Sequence, residues 1–266
     1  MTDEAQTWHY GLVARWWAEF NTDGPEIAYF KRLIERYWQP ALDVACGTGR
    51  LLIPYLRAGM DVDGCDISAD MIGLCAEKAE SEGLAASLFV QPMHELDLPR
   101  EYKTIIVCGG FGLGGSRDQD QKALRRICQH LLPGGTLVLD NYVAYEDEDE
   151  WRYWLKEERP KLPEPWPSTG RRKRAANGEE IELRIRLAAF DPLTQVATRE
   201  IRASLRRGGQ LIRREENVLL ERRYFRDELV AMLALAGFAD VQVRGDYSDD
   251  VASADSDVLV YIATKG

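Results

Sequence analysis

The sequence predicts an α/β fold: a doubly wound, mostly parallel sheet carrying an antiparallel β-meander as an insertion. Three observations predict it. The short apolar run of Leu42, Val44 and Ala45 closes in a glycine turn, Cys46-Gly47-Thr48-Gly49, and the chain continues at helical period. Short apolar runs and helical stretches then alternate as far as Tyr142, the pattern of βαβ units. Beyond it Ile181, Leu183, Ile185 and Leu187 alternate with Glu182, Arg184 and Arg186, the period of a half-buried strand.

The N-terminal stretch Trp8-His9-Tyr10-Gly11-Leu12-Val13-Ala14-Arg15-Trp16-Trp17 is rich in aromatic residues, and Asn21-Thr22-Asp23-Gly24-Pro25 separates it from a helix over 26–38. Strand, glycine turn and helix follow to residue 58. A second strand over 62–67 carries Asp66 near its end, and Ser68 is placed to cap a helix over 69–82. Strands are expected over 87–90, 104–108 and 136–140, the last after the turn Pro133-Gly134-Gly135, with a helix over 119–132 before that turn. The acidic run Glu146-Asp147-Glu148-Asp149-Glu150 reads as solvated surface, and four prolines within 160–167 read as a linker.

Strands over 181–187, 196–205 and 211–221, punctuated by Asp191-Pro192 and Gly208-Gly209, make the meander. Its arginines, among them Arg184, Arg186, Arg202, Arg206, Arg213 and Arg214, are interleaved with glutamates and read as a solvated face. The basic cluster Arg171-Arg172-Lys173-Arg174 reads as an exposed loop. A helix over 227–236 stops at Gly237, and strands over 241–244 and 258–263 complete the edge of the parallel sheet. The organisation expected is a helical lid at 1–40, a core at 41–142 and 225–266, and a β-rich cap at 143–224.

Composition narrows the function. Apolar residues make up 45% of the 266, enough to bury a full-sized core. A formal charge of -10 disfavours a protein that grips polyanions over a broad face, so no nucleic-acid partner is expected. Apolar runs such as 104–107 fall far short of the roughly 20 residues of a bilayer span, so no membrane partner is expected either. Met1-Thr2-Asp3-Glu4 lacks the basic-then-apolar pattern of a secretory leader. Cys46, Cys65, Cys75, Cys108 and Cys128 show no metal-finger spacing, which implies no metal site and a cytoplasmic setting. Cys65, Cys75 and Cys128 read as small buried hydrophobes. The chain could be a monomer or a homodimer.

The segment richest in chemical content is Leu42-Asp43-Val44-Ala45-Cys46-Gly47-Thr48-Gly49-Arg50 followed by Asp63-Gly64-Cys65-Asp66-Ile67-Ser68. Glycines after a first strand let the backbone pass close beneath a ligand, and a helix N-terminus favours a negative group. Asp66 lies 17 residues beyond Gly49, near the spacing at which an acidic residue accepts hydrogen bonds from ribose hydroxyls. It could also cap the following helix. The dinucleotide fingerprint wants a third glycine where Leu52 stands, which disfavours NAD, and no Gly-Lys-Ser/Thr loop is present for ATP.

Residues 42–50 resemble motif I of the class I S-adenosylmethionine-dependent methyltransferases, and 62–68 resemble that family's acidic second-strand motif. Segments 89–98, 104–110, 119–141 and 229–238 fall at the family's spacing, so the resemblance covers about two thirds of the chain. It implies a seven-stranded Rossmann-like sheet with S-adenosyl-L-methionine as cofactor. Gly47 and Gly49 would approach its methionine part and Asp66 would hold its ribose, with Ala45, Cys46, Arg50 and Met71 also among the residues expected to bind it. Ile67 would line its adenine with Met93 and His94 on the other side, and Cys108 and Gly109 would border the sulfonium. Where the family has an acidic residue just before Met93, this chain has Pro92. Tyr10 and Trp17 would reach the cofactor from a lid, although Trp8, Trp16 and Trp17 could equally be helix-packing residues. The meander is similar to the cap of small-molecule N-methyltransferases, including those acting on amino sugars.

Methyl transfer is an in-line displacement that needs alignment and exclusion of water more than a strong base. A small-molecule acceptor, through N or O, must lose a proton before or during attack, and His94, Tyr142 and His9 are the candidate bases. His94 could instead be a cofactor-side or surface residue. The alternatives are a non-catalytic protein binding S-adenosylmethionine or S-adenosylhomocysteine, and a nicotinamide-dependent reductase.

Overall fold

A computed structural model describes residues 7–145 and 147–266. The expected leader-free start at Met1 to Glu4, and Glu146 of the acidic run, lie outside the described residues. Helices α1 (Gly11–Phe20) and α2 (Pro25–Tyr37) come first; Pro25 opens α2, where its missing N–H costs nothing. Alternating strands and helices follow: β1 (Ala41–Val44), α3 (Leu52–Arg57), β2 (Val62–Asp66), α4 (Ala69–Ser81), β3 (Leu88–Val90), β4 (Tyr102–Val107), α5 (Arg117–His130) and β5 (Leu131–Tyr142). Every residue of β1 and β2 is buried, as expected of parallel strands covered on both faces. Ser68 caps α4 by accepting the Met71 N–H at 3.2 Å. α5 starts two residues earlier than the sequence suggests because Ser116 and Gln119 form a reciprocal capping box.

The second half contains α6 (Glu148–Trp151), β6 (Arg171–Arg174), β7 (Glu180–Asp191), β8 (Val196–Arg207), β9 (Gln210–Arg222), α7 (Arg226–Leu235), β10 (Phe238–Gly245) and β11 (Val258–Lys265). Seven strands form one sheet in the order β10-β11-β5-β4-β1-β2-β3, and β6-β7-β8-β9 form a separate sheet. The chain order reverses between β1 and β4, which pair in parallel, Ala41 with Thr104 through Val44 with Val107. A ligand crevice is expected beyond the carboxyl ends of the strands there. The terminal strands do complete the sheet, but β11 runs antiparallel to both β5 and β10.

Two readings of charged segments are corrected. Arg171 to Arg174 is an edge strand paired with β7, not a loop. Four consecutive basic residues give no alternation to detect, yet charge on an exposed edge guards against unwanted strand pairing. Asp147 caps α6, accepting the Asp149 N–H at 2.9 Å, and while residues 147–149 are exposed as the sequence predicts, Glu150 is buried rather than solvated. Arg223 donates to its two oxygens at 2.6 and 2.7 Å, and Arg199 pairs with it as well. Glu150→Ala leaves two cations facing each other at a buried site, so unfolding free energy is expected to fall by about 3 kcal/mol, read as a lower urea midpoint.

Arg184, Arg186 and Arg202 of the meander are half-buried in ion pairs, Arg186 on Glu200 at 2.6 Å and Arg202 on Glu216 at 2.7 Å, whereas Arg213 and Arg214 are exposed, as the sequence predicts. The N-terminal segment divides its packing. Trp8, Leu12, Val13 and Trp16 join Ile181, Ile201 and Leu219 in the core of the four-stranded sheet, whereas Tyr29, Phe30, Leu33 and Ile34 of α2 pack on the seven-stranded one.

Candidate active site

A cavity of about 320 Å³ opens beyond the carboxyl ends of β1, β2 and β4, at the switch point. Its floor is the glycine turn. Gly49 has φ of +82°, and a Cβ there would meet Cys75 Sγ at 2.6 Å, so only glycine allows α3 and α4 to meet under the turn. A Cβ at Gly47 would meet nothing, leaving its backbone open to the cavity. Ala45 is held at φ of +60°, a conformation that costs a non-glycine residue about 1 kcal/mol or more and tends to persist at functional sites. Gly110 lies so close that a Cβ would come within 2.5 Å of the Ala45 Cβ.

Asp66 binds the turn to the second strand. Its Oδ2 accepts the Gly47 N–H at 3.0 Å and its Oδ1 the Ser68 N–H at 2.8 Å. Burial raises its pKa, with these backbone hydrogen bonds opposing the rise. Asp43, at the end of β1, is buried with Oδ2 unpartnered, and burial pushes its carboxyl well above the usual range. Arg50 reaches the cavity, pairs with Glu26 of α2 and donates to Cys108 Sγ at 3.8 Å. Behind Cys108 and Gly109 stands Asp140, which accepts the Gly109 N–H at 2.6 Å and the Tyr247 hydroxyl at 2.8 Å.

The N-terminal segment closes one side. Asp70 of α4 accepts the Gly11 N–H at 2.7 Å and Glu215 of β9 the Leu12 N–H at 2.8 Å, so a helix of the seven-stranded layer and a strand of the four-stranded sheet both satisfy the start of α1. Ser68 Oγ donates to the His9 carbonyl at 2.5 Å. His9 faces the cavity with its Nδ1 2.6 Å from Thr7 Oγ1, and burial lowers its pKa from 6.5 to about 4. The docked segment therefore binds fewer protons than a lifted one below pH 6.5. Docking is expected to be independent of pH above 6.5 and to weaken as pH falls toward 4. Hydrogen exchange of the α1 amides, corrected for intrinsic rate, should show faster opening at pH 5 than at pH 7; equal protection would contradict it.

Residues 41–135 match the family described as "Methyltransferase domain". A protein of Geobacillus sp. (strain WCH70) named as a methyltransferase is 22% identical over 266 residues, spanning 96% of this chain and 99% of that one. Residues 41–135 thus carry a methyltransferase domain, and the protein is an S-adenosylmethionine-dependent methyltransferase. Two solved structures share the fold of this methyltransferase. An S-adenosylmethionine-dependent methyltransferase from Clostridium acetobutylicum ATCC 824 matches with a TM-score of 0.70 at 17% identity, over 95% of this chain and 96% of that one. The sugar N-methyltransferase KedS8 from Streptoalloteichus sp ATCC 53650 matches with a TM-score of 0.68 at 18% identity, over 100% and 99%. The methyl donor is S-adenosylmethionine, which sets aside the nicotinamide-dependent reductase.

Most residues singled out in the sequence of this methyltransferase meet around the one cavity. Trp17, Ala45, Cys46, Gly47, Arg50, Asp66, Ile67, Met71, Met93, His94, Cys108 and Gly109 line it, as do His9 and Tyr142. Gly49 and Tyr10 do not: Gly49 packs under the turn, and Tyr10 sits exposed at the start of α1. Trp8 and Trp16 are packing residues, while Trp17 reaches the cavity. His94 meets the Gln119 amide at 3.3 Å. Asp43, Gly110 and Asp120 also line the wall and were not singled out; Asp43 could have been noticed as an acidic residue inside an otherwise apolar strand. Among the described residues no cluster of His, Cys, Asp and Glu could hold a metal ion, and no helix is long and apolar enough to cross a membrane.

Proposed function

We propose that the enzyme methylates a small molecule on N or O, holding S-adenosylmethionine in the cavity at the switch point and its acceptor against the β-rich cap. The observation that carries the reading is the unpartnered Asp43 oxygen beside the open backbone of Gly47. A buried carboxylate without a partner is costly unless a cation completes it, and the α-ammonium of the methionine part is such a cation. Arg50 offers the complementary charge for the neighbouring carboxylate. Asp66 would receive the ribose hydroxyls through lone pairs its two backbone bonds leave available. Ile67, Met71, Met93 and His94 would border the adenine.

Bound there, S-adenosylmethionine supplies a methyl group on positively charged sulfur. The chain's own contribution is alignment and dryness. The N-terminal segment, with His9 and Trp17 inward, would shed water, and residues 143–224 would wall the acceptor as a cap on a core of 41–142 and 225–266. His9, neutral at pH 7, His94 and Tyr142 line the cavity and would be the groups to receive a proton leaving the acceptor. The likeness to a sugar N-methyltransferase over the whole chain supports a small acceptor. All five cysteines are free, which fits a reducing compartment such as the cytoplasm.

Thermal unfolding with S-adenosylmethionine, S-adenosylhomocysteine and NADH tests the cofactor reading. A ligand at about 100 times its dissociation constant adds roughly 2.7 kcal/mol, a clear rise in Tm. A rise with the two adenosyl ligands alone is expected, and a rise with NADH alone would defeat the reading. Release of S-adenosylhomocysteine on adding acceptors separates an enzyme from a non-catalytic binder.

A further inference from the structure

Three carboxylates line the cavity among the described residues: Asp43, Asp66 and Asp120. The first two lie at the carboxyl ends of β1 and β2, Asp43 one residue before the end of its strand, and belong to the cofactor reading above. Asp120 comes from the first turn of α5 and is buried at 5% exposure. Its Oδ2 accepts the Tyr224 hydroxyl at 2.6 Å and lies 3.5 Å from Arg222 Nε. Tyr224 thus hydrogen-bonds that oxygen, and the Arg222 charge stands on the same side. Oδ1 lies on the other side, toward Gly115, where a built Cβ would stand 3.4 Å from it, so any side chain at 115 would cover that oxygen. Gly115 itself lines the cavity. One oxygen is thus anchored by Tyr224, and the other faces a glycine.

We propose that Asp120 is the residue that receives the acceptor, and that the acceptor is an amine. The proposal rests on reading the cavity as the site of methyl transfer. An ammonium group complements a buried carboxylate in charge as well as in hydrogen bonding, whereas a hydroxyl complements it in hydrogen bonding alone. Proton transfer points the same way. Burial raises the Asp120 pKa to about 6, opposed by the Tyr224 hydroxyl, Arg222 and Arg117. A base of that strength can take a proton from an alkylammonium near ~10 far more readily than from a hydroxyl whose pKa is near that of water, ~16. One ammonium proton passes to Oδ1, and the freed nitrogen lone pair bonds to the methyl carbon as the carbon–sulfur bond breaks toward sulfur. N-methylammonium and S-adenosylhomocysteine result, and the Asp120 proton returns to solvent.

The titratable and charged groups around Asp120 are Arg222 and the neutral Tyr224 hydroxyl at the exit of β9, and Arg117 on α5, which pairs with Glu228 of α7. The test is calorimetric titration of the protein loaded with S-adenosylhomocysteine, using D-glucosamine and benzylamine against D-glucose and benzyl alcohol. The amines are expected to bind in preference to their hydroxyl counterparts, and their binding should fade as pH falls through about 6. Asp120→Asn should weaken amine binding at least tenfold while preserving the rise in Tm that S-adenosylhomocysteine gives. Tyr224→Phe removes a bond that favours the carboxylate and should move the fading to higher pH, which a purely structural Asp120 would not do. Amines and hydroxyl compounds binding alike, no amine binding, or wild-type amine binding by Asp120→Asn would overturn the proposal. Loss of the S-adenosylhomocysteine effect in the wild-type protein would overturn the cofactor reading beneath it, and is told apart by being seen before any amine is added.

Discussion

Asp43→Ala is expected to raise the melting temperature of the ligand-free protein and to weaken S-adenosylmethionine binding by about 100-fold or more. The two effects have one cause. Asp43 is the penultimate residue of a fully buried strand with one oxygen unpartnered, and burial disfavours its ionised form. An unsatisfied buried polar group costs roughly 1–3 kcal/mol, which the alanine variant recovers as a few degrees of Tm. Removing one member of a desolvated charge pair costs about 2–5 kcal/mol of binding, hence the loss of affinity. Scanning calorimetry with and without ligand reads both. A variant that loses stability and keeps its affinity would show Asp43 to be structural.

Asp66→Asn should behave oppositely in the first respect. Both Asp66 oxygens accept backbone N–H groups, from Gly47 and Ser68. An amide can accept one of them but must aim its own NH2 at the other, setting donor against donor. The expected penalty is about 1–3 kcal/mol of stability. Because the released N–H belongs to the glycine turn, affinity for S-adenosylmethionine should fall with it, by about 100-fold. Urea unfolding and ligand titration of the same preparation check the pair of effects. Unchanged stability would mean that the carboxylate does not hold the turn.

These two aspartates show how unevenly the site is legible in the sequence. Asp66 stands out because a glycine turn and an acidic strand end at fixed spacing are a local pattern, and the parallel sheet follows from the alternation of apolar runs and helices. Asp43 is two residues from Ala45 in the same motif, but its importance lies in an unpartnered oxygen, which only the packed structure reveals. Asp120 is less legible still. Its neighbours Tyr224 and Arg222 are more than 100 residues away, so nothing near it in sequence marks it. Local rules also misjudge charge: Glu150 sits in an acidic run yet is buried, because Arg199 and Arg223 return to it from the cap. Spacing likewise cannot separate a glycine that faces a ligand from one that packs. Gly47 and Gly49 look alike in the motif, and only the Cys75 sulfur beneath Gly49 tells them apart.

The account turns on where the cofactor sits. A crystal structure of the protein with S-adenosylhomocysteine is the most direct measurement. It is expected to show the amino group of the ligand within hydrogen-bond distance of Asp43 Oδ2, the ribose hydroxyls on Asp66, and the adenine between Ile67 and Met93. Density for the ligand elsewhere, or an Asp43 oxygen still without a partner when the ligand is bound, would contradict it.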